Sequence, residues 1–296
     1  LHPVAHSFPT RRSSDPGGVQ FRHDTIERRL RDRALSERER VRRAAKLLLE
    51  TEAAAEERGR YVLARMVAEQ SGESMLPAAS AVQLLTEAAR RALGLVIPRE
   101  SLAFTERAIA VGRDELIGSN LLDLHLLAHE AAALDDNVEA MSRHFRWIKN
   151  AADPVATNNA RALWISRSYA KLWVRGAVRI GWKCLNELDA LPGTDLEQSE
   201  ERERAFSDAA AGLSRKSAKR VFARIQALPP AEDERSKLVA RICAMLFVPL
   251  LTVDHRAAPL LATIILKEAE RHGTAPYTGF GFLFWTSFAT ETGASV

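Results

Sequence analysis

Among the residues of this 296-residue chain that could do chemistry, one pair is spaced for joint action. His125 and His129 stand four apart in "HLLAHE", so on a helix they share one face, and Glu130 follows directly. Two imidazoles at that spacing can chelate zinc, with a carboxylate as third ligand or as base. That arrangement would support a zinc hydrolase. The order differs from H-E-x-x-H, in which the Glu lies between the two ligands and reaches the metal-bound water. No third ligand is signalled nearby, so the expectation is two ordinary helix histidines and no metal.

Two other stretches invite a chemical reading. Residues Arg22 to Arg43, "RHDTIERRLRDRALSERERVRR", hold nine Arg against five acids. Such a run could neutralise phosphates, as in a nucleic-acid-linked transcriptional regulator. Its acids are interleaved, however: Glu27 with Arg31 and Glu39 with Arg43 are spaced as i,i+4 helix pairs. Aromatics for base stacking are lacking. A solvated helix face is the expectation, and nucleic acid is not an expected partner. The aromatic stretch "YTGFGFLFWTSF", Tyr277 to Phe288, places Gly279 and Gly281 among Phe280, Phe282, Phe284, Trp285 and Phe288. A phosphate-cradling loop would need Lys and Ser/Thr after the glycines. Glycines here are expected to admit a closely packed neighbour. No Ser–His–Asp set, cysteine cluster or paired carboxylates stand out, so no catalytic residues are predicted.

The elements that position these residues read as helices almost throughout from Asp24 onward. Ala, Leu, Arg and Glu dominate, and the alternation that marks strands is nearly missing. Val82, Leu85, Ala89 and Leu93, with Leu84 beside them, form one apolar stripe; Leu121, Leu124, Ala128 and Ala131 form another. Helix breaks are predicted at Gly72, Gly94 with Pro98, Asp153–Pro154, Pro192–Gly193, Pro229–Pro230, Pro249, and Gly273 with Pro276. "NVEAMSRHFRWIKNAADP" aligns with "VRGAVRIGWKCLNELDALP" at an offset of 37 residues, matching Ala140 to Ala177 and Ile148 to Leu185. Tetratricopeptide-type hairpins repeat every ~34 residues, with small residues where helices approach. The predicted fold is all-α, an irregular superhelical stack of helical hairpins, with a compact non-repeating α domain as the alternative.

Bulk properties set the frame. The formal net charge is +4; residues 1–15 contribute Arg11, Arg12 and Asp15, and setting them aside leaves +3, too mild to imply a nucleic-acid partner. A hydrophobic fraction of 46% supports a sizeable core. Cys184 and Cys243 are single and far apart, which suits small core residues in a reducing compartment. The apolar run Ile242 to Val253 is too short to span a bilayer and contains Pro249, and no signal peptide is visible. A soluble, cytoplasmic protein without a membrane partner is expected.

"HSFPTRRSSD", His6 to Asp15, resembles a common short-read sequencing adapter translated in one frame, and the match ends at Pro16. Residues 1–15 are therefore set apart as a sequencing-adapter artefact, expected to be without structure. The chain begins at Leu1 and stops at Val296 inside an apolar, aromatic stretch, so a fragment cut at both ends is expected.

Three stretches together resemble a known family. "VQFRHDTIERRL", Val19 to Leu30, is similar to the end of the winged-helix part of signal-transduction ATPases with numerous domains (STAND), which carry a Phe-x-His-Asp helix start. "AHEAAALDDNVEAMSRHF" resembles the helical-repeat region that follows there. The stretch from "LPPAEDERSKLVARICAMLFVPLL" through "KEAERHGTAPYTGFGFLFW" resembles a segment of large serine/threonine or sensor histidine kinases that contain an AAA-type ATPase. The resemblance implies that residues 16–50 are the end of a winged-helix domain and a linking helix, with a tetratricopeptide-like repeat region over 51–296. It also implies a nucleotide-state role for His23, the phosphate-facing residue, and for Asp24, the helix start, though Arg22 stands where relatives have Met. No cofactor is expected in this chain, and ATP and Mg would belong to the parent protein. The implied function is a non-catalytic scaffold that couples a protein partner, held on a concave face, to an upstream ATPase or kinase.

Overall fold

The computed structural model describes residues 44, 57–69, 76–113, 116, 118–191, 199–215 and 217–292. Residues 1–43, and with them His23, Asp24 and the Arg-rich run, lie outside the described residues. So do the predicted breaks at Gly72 and Pro192–Gly193. The described residues form twelve α-helices: α1 Glu57–Glu69, α2 Ala78–Gly94, α3 Pro98–Val111, α4 Ser119–Leu134, α5 Val138–Asn150, α6 Pro154–Ala170, α7 Val174–Glu187, α8 Ser199–Ser214, α9 Ala218–Gln226, α10 Glu234–Val253, α11 Ala258–His272 and α12 Gly279–Thr292. They contain no strand; a lone bridge joins Pro230 to Thr274. The all-α stack expected from the sequence is the observed fold.

Local chemistry starts several of these helices. Asn137 accepts the Ala140 N–H at 3.1 Å, Asp153 accepts that of Ala156 at 3.0 Å, and Asp233 accepts those of Arg235 and Ser236 at 3.2 and 3.1 Å. Each satisfies backbone donors that the first helical turn leaves open. Pro98 and Pro154 open α3 and α6, where a missing N–H costs nothing.

Helix ends follow one pattern. The links α2–α3, α4–α5, α5–α6 and α6–α7 are three residues long, and the middle residue is left-handed each time: Val96 (φ 58°), Asp136 (58°), Ala152 (57°) and Leu172 (60°). Asp189 (54°) closes α7 likewise. The bonding is that of a Schellman cap. The Ile97 N–H donates to Ala92 O at 2.8 Å and the Val96 N–H to Leu93 O at 3.0 Å; Trp173 and Leu172 repeat this with Ser168 and Tyr169 at 2.8 and 2.9 Å. Glycine is the usual residue at such a position, and an L-residue there costs roughly 1–2 kcal/mol. None of these five is glycine. The turns at 135–137 and 171–173 hold neither Gly nor Pro, so the sequence showed no break there.

So short a turn folds each helix back on its predecessor. Two layers result: α2, α4, α6 and then α10 pack side by side in one, while α3, α5 and α7 pack mainly against the first layer rather than on each other. Helices inside a curve lie closer than those outside it, which makes α2, α4, α6 and α10 the concave layer. Of the predicted stripes, Leu84, Leu85 and Ala89 of α2 and Leu124, Ala128 and Ala131 of α4 are buried, whereas Val82, Leu93 and Leu121 are half-buried; Ala88, Ala92 and Ala132 join the buried set. The repeat holds in an adjusted register. The left-handed residues before α5 and α7 are 36 apart (Asp136, Leu172) and those after them 37 apart (Ala152, Asp189), because α7 has 14 residues and α5 has 13. Ile148 and Leu185 are therefore equivalent, whereas Ala140 corresponds to Gly176 rather than Ala177.

Regularity ends after α7. Helices α8 and α9 leave the layers, α10 takes the place beside α6 and α7, and α11 with α12 closes the end. Helix α10 runs unbroken from Glu234 through a buried Pro249 to Val253, so the predicted break at Pro249 is wrong. Proline forfeits a single backbone bond, and its buried ring packs on a helix that the neighbouring Leu246 and Leu250 anchor in the core. The uninterrupted helix is long and apolar enough by composition to cross a membrane, but half of its most apolar window is buried in the core. The predicted break at Gly273 is found. Its φ of 97° suits only glycine, and a side chain there would strike Pro229 O. The Thr274 N–H donates to Pro229 O and the Ala231 N–H to Thr274 O, both at 2.8 Å, tying the links before α10 and before α12 together.

Two glycines test the packing with opposite signs. Gly181 of α7 lies against the fully buried Leu246 of α10, where a methyl group would overlap its side chain, while Gly212 of α8 has open space around it. Alanine is the better helix former by about 0.5–1 kcal/mol. Gly212→Ala should raise the thermal midpoint. Gly181→Ala should lower it, because overpacking costs roughly 1–3 kcal/mol. Calorimetric melts of the two variants check both signs.

Candidate binding groove

The concave layer carries a groove of about 310 Å³ between α2, α4, α6 and α10. Leu126 and Leu127 of α4 and Leu163 of α6 supply apolar walls, and Ala160 and His129 lie at the floor. Around the rim stand Arg90, Asp123, Glu130 and Arg241, two charges of each sign. None of the four forms an ion pair among the described residues; Arg241 donates to Asn159 Oδ1 at 3.0 Å. A second pocket, about 230 Å³ between α1 and α2, is different. Its Arg60 pairs with Glu87, and its Arg91 pairs with Glu57 at 2.8 Å. The groove thus offers uncommitted charge and the smaller pocket does not. The groove's lining offers apolar contact and charges of both signs, with its carboxylates on Asp123 and Glu130 and its imidazole on His129.

Beneath the groove lies a buried histidine cluster. His129 of α4 is fully buried, with Nδ1 2.9 Å from Met141 O of α5 and Nε2 3.0 Å from Ala160 O of α6, so one ring joins three helices. A neutral imidazole has one N–H, and only an imidazolium could donate to both carbonyls. Burial pushes the His129 pKa down against the pull of those two carbonyls. The neutral ring therefore donates to one carbonyl at a time. His125, one turn earlier, bonds a different partner. Its Nδ1 lies 2.9 Å from His144 Nδ1 of α5, and its ring stacks on Trp147 with centroids 4.0 Å apart. Burial, followed by the neighbouring His144, lowers the His125 pKa to about 4. The neutral arrangement has His125 Nδ1–H donating to His144 and His144 Nε2–H donating to Glu106 of α3 at 3.4 Å. The His144 hydrogen bond, with Arg143 beside it, holds the Glu106 carboxyl below the usual range.

The sequence placed His125 and His129 on one face, and they do share one, but their nitrogens serve different partners on different helices. Among the described residues no group of three His, Cys, Asp or Glu side chains is placed to hold a metal ion. Glu130 stands on the groove rim, apart from both rings' hydrogen bonds. Cys184 and Cys243 are free and buried in the largest core cluster; burial pushes the Cys184 thiol up to about 12 and that of Cys243 further. The aromatic stretch is helix α12, with Phe284 and Trp285 buried and Gly281 set closely against Ile265 and Leu266 of α11. That is the close approach expected of it, although Gly279 has open space.

Sequence reading missed His144, Glu106, Arg90, Asn159 and Arg241. Local spacing carried no signal for them: Arg241 and Asn159 are 82 positions apart, and His144 and Glu106 are 38 apart. No family model, no curated protein and no solved structure matches this chain.

The cluster makes stability depend on pH. His125 has an ordinary value of 6.5 when unfolded and about 4 when folded, so below 6.5 the unfolded chain binds the extra proton. The contribution is complete above pH 6.5 and drains away as the pH falls toward 4, by up to about 1.4 kcal/mol per pH unit for one such group. Denaturant melts between pH 7.5 and 4 should show this fall (a range set by the titration window), and His125→Phe, which keeps an aromatic ring on Trp147, should flatten it.

Proposed function

We propose that this chain is a non-catalytic helical-repeat scaffold that holds a partner segment in the concave groove. The observation that carries the reading is the groove rim: Arg90, Arg241, Asp123 and Glu130 surround apolar walls and form no ion pair with one another or with other described residues. Leaving four charges uncommitted around an apolar trough adds nothing to folding, and it suits a peptide that brings apolar side chains and charges of both signs. A stack whose hairpins contact mainly their neighbours presents such a face along its length.

The sequence resemblance supplies the setting. In this reading the scaffold belongs to a multidomain signal-transduction ATPase or kinase of the cytoplasm. Occupancy of the groove biases an upstream ATPase or kinase between states. Any ATP and Mg are held by that domain, beside which His23 and Asp24 would sense the nucleotide.

Two measurements test this. A longer read of the locus should reveal an upstream G-x-x-x-x-G-K-[ST] phosphate loop; an upstream region lacking one would remove the ATPase setting. Calorimetric titration of this chain with the recovered upstream domain should give saturable binding. Arg241→Glu with Arg90→Glu should weaken it by at least about tenfold, and unchanged affinity would remove the groove from the reading.

A further inference from the structure

The turns that join the concave layer to the outer one, α2–α3, α4–α5 and α6–α7, all lie on one edge of the stack, and ion pairs fix their neighbourhood. Arg99 Nε, just after the first turn, meets Asp135 of the second at 2.8 Å; Asp136 of the second meets Lys171 of the third at 3.1 Å and also pairs with Arg167. Along this edge run exposed apolar side chains: Leu95 and Val96, then Leu134 and Val138, then Leu172 and Trp173. The left-handed residues are the telling ones. Val96 is 75% exposed and Leu172 is 86% exposed, at φ 58° and 60°. Glycine would remove both the strain and the exposed apolar surface, and for a β-branched valine this backbone is a genuine outlier. Folding is therefore not what these two side chains serve.

We propose that this edge is a second docking surface, separate from the groove, and that its occupant is an amphipathic helix of a partner protein with acidic flanks. Successive turns are one helix-packing distance apart, about 8–10 Å, and a helix advances about 10.5 Å in seven residues. A heptad-spaced apolar stripe thus meets the three turns in step. Charge decides the flanks. Asp135 and Asp136 are already paired, whereas Arg175 and Arg179 at the α7 end are exposed and pair with no carboxylate among the described residues; Arg179 lies over the Trp173 ring, 5.7 Å from its centroid. Carboxylates on the incoming helix complement that pair.

The test uses two synthetic helical peptides of three heptads with identical apolar stripes, one flanked by Glu and one by Lys, titrated into the whole chain by fluorescence anisotropy. The Glu peptide should bind saturably and at least about tenfold more tightly than the Lys peptide. Val96→Gly with Leu172→Gly should abolish that binding while leaving the thermal midpoint equal or higher, which separates loss of the surface from loss of the fold. Arg175→Glu with Arg179→Glu should weaken the Glu peptide alone, and the groove variant Arg241→Glu should weaken neither. The proposal is overturned if the Glu peptide does not bind, if the glycine variant binds it as well as the parent chain, or if the Lys peptide binds equally. It is also overturned if the same edge residues instead drive binding to phosphatidylcholine/phosphatidylserine vesicles or concentration-dependent dimerisation of this chain.

Discussion

A three-residue link with a left-handed centre is the constraint on which the rest of this structure depends. The Schellman bonds at Val96, Asp136 and Leu172 end one helix and set the direction of the next within a single turn of chain. With no slack in the link, consecutive helices must lie antiparallel and in contact. Repeating that step sorts alternate helices into two layers, and the layering produces both surfaces discussed above. The groove belongs to the face of the closer-packed layer, and the apolar edge is the row of links itself.

Polar contacts then fix how one hairpin sits on the next. His129 reaches α5 and α6 from α4, and the series His125, His144, Glu106 joins α4, α5 and α3. At the edge, Arg99, Asp135, Asp136 and Lys171 join successive links. Apolar packing of Leu and Ala is tolerant of small slides between helices, whereas hydrogen bonds of about 3 Å are not. Burial penalises the charged form of the His125 and His129 rings within this arrangement.

Beyond α7 the constraint lapses, and a different core takes over. Helix α10 inherits the place beside α6, and its Arg241 carries a polar contact from the second half of the chain into the groove through Asn159. The largest core cluster spans α6 to α12 and includes Leu246 and Phe284, with Phe247 packed edge-on to Phe284 at 4.8 Å. The ion pair of half-buried Arg235 with buried Glu268 at 3.1 Å binds α10 to α11. The groove thus needs both regions, since three of its walls come from the regular repeats and the fourth from outside them.

By itself the sequence determined that the described residues would be helical, most of the residues in the two buried stripes, that a repeat of about 37 residues was present, and that Gly273 and Asp153–Pro154 would end and start helices. Apart from the repeat, which is read by comparing two hairpins, these are local properties, encoded in residue type and spacing within one or two helical turns. It did not reveal the turns at Asp136 and Leu172, because the left-handed positions there carry Asp and Leu in place of the glycine that signals such a cap. It also misjudged Pro249, whose helix the neighbouring Leu246 and Leu250 anchor in the core. The site was less legible still. His125 and His129 were visible as a pair, but their partners His144, Met141 and Ala160 come from other helices, and proximity on one helix face suggested a shared ligand where the structure gives each ring its own. The groove's charges lie on four helices spanning residues 90 to 241, and only the stacking of antiparallel hairpins brings them around one trough.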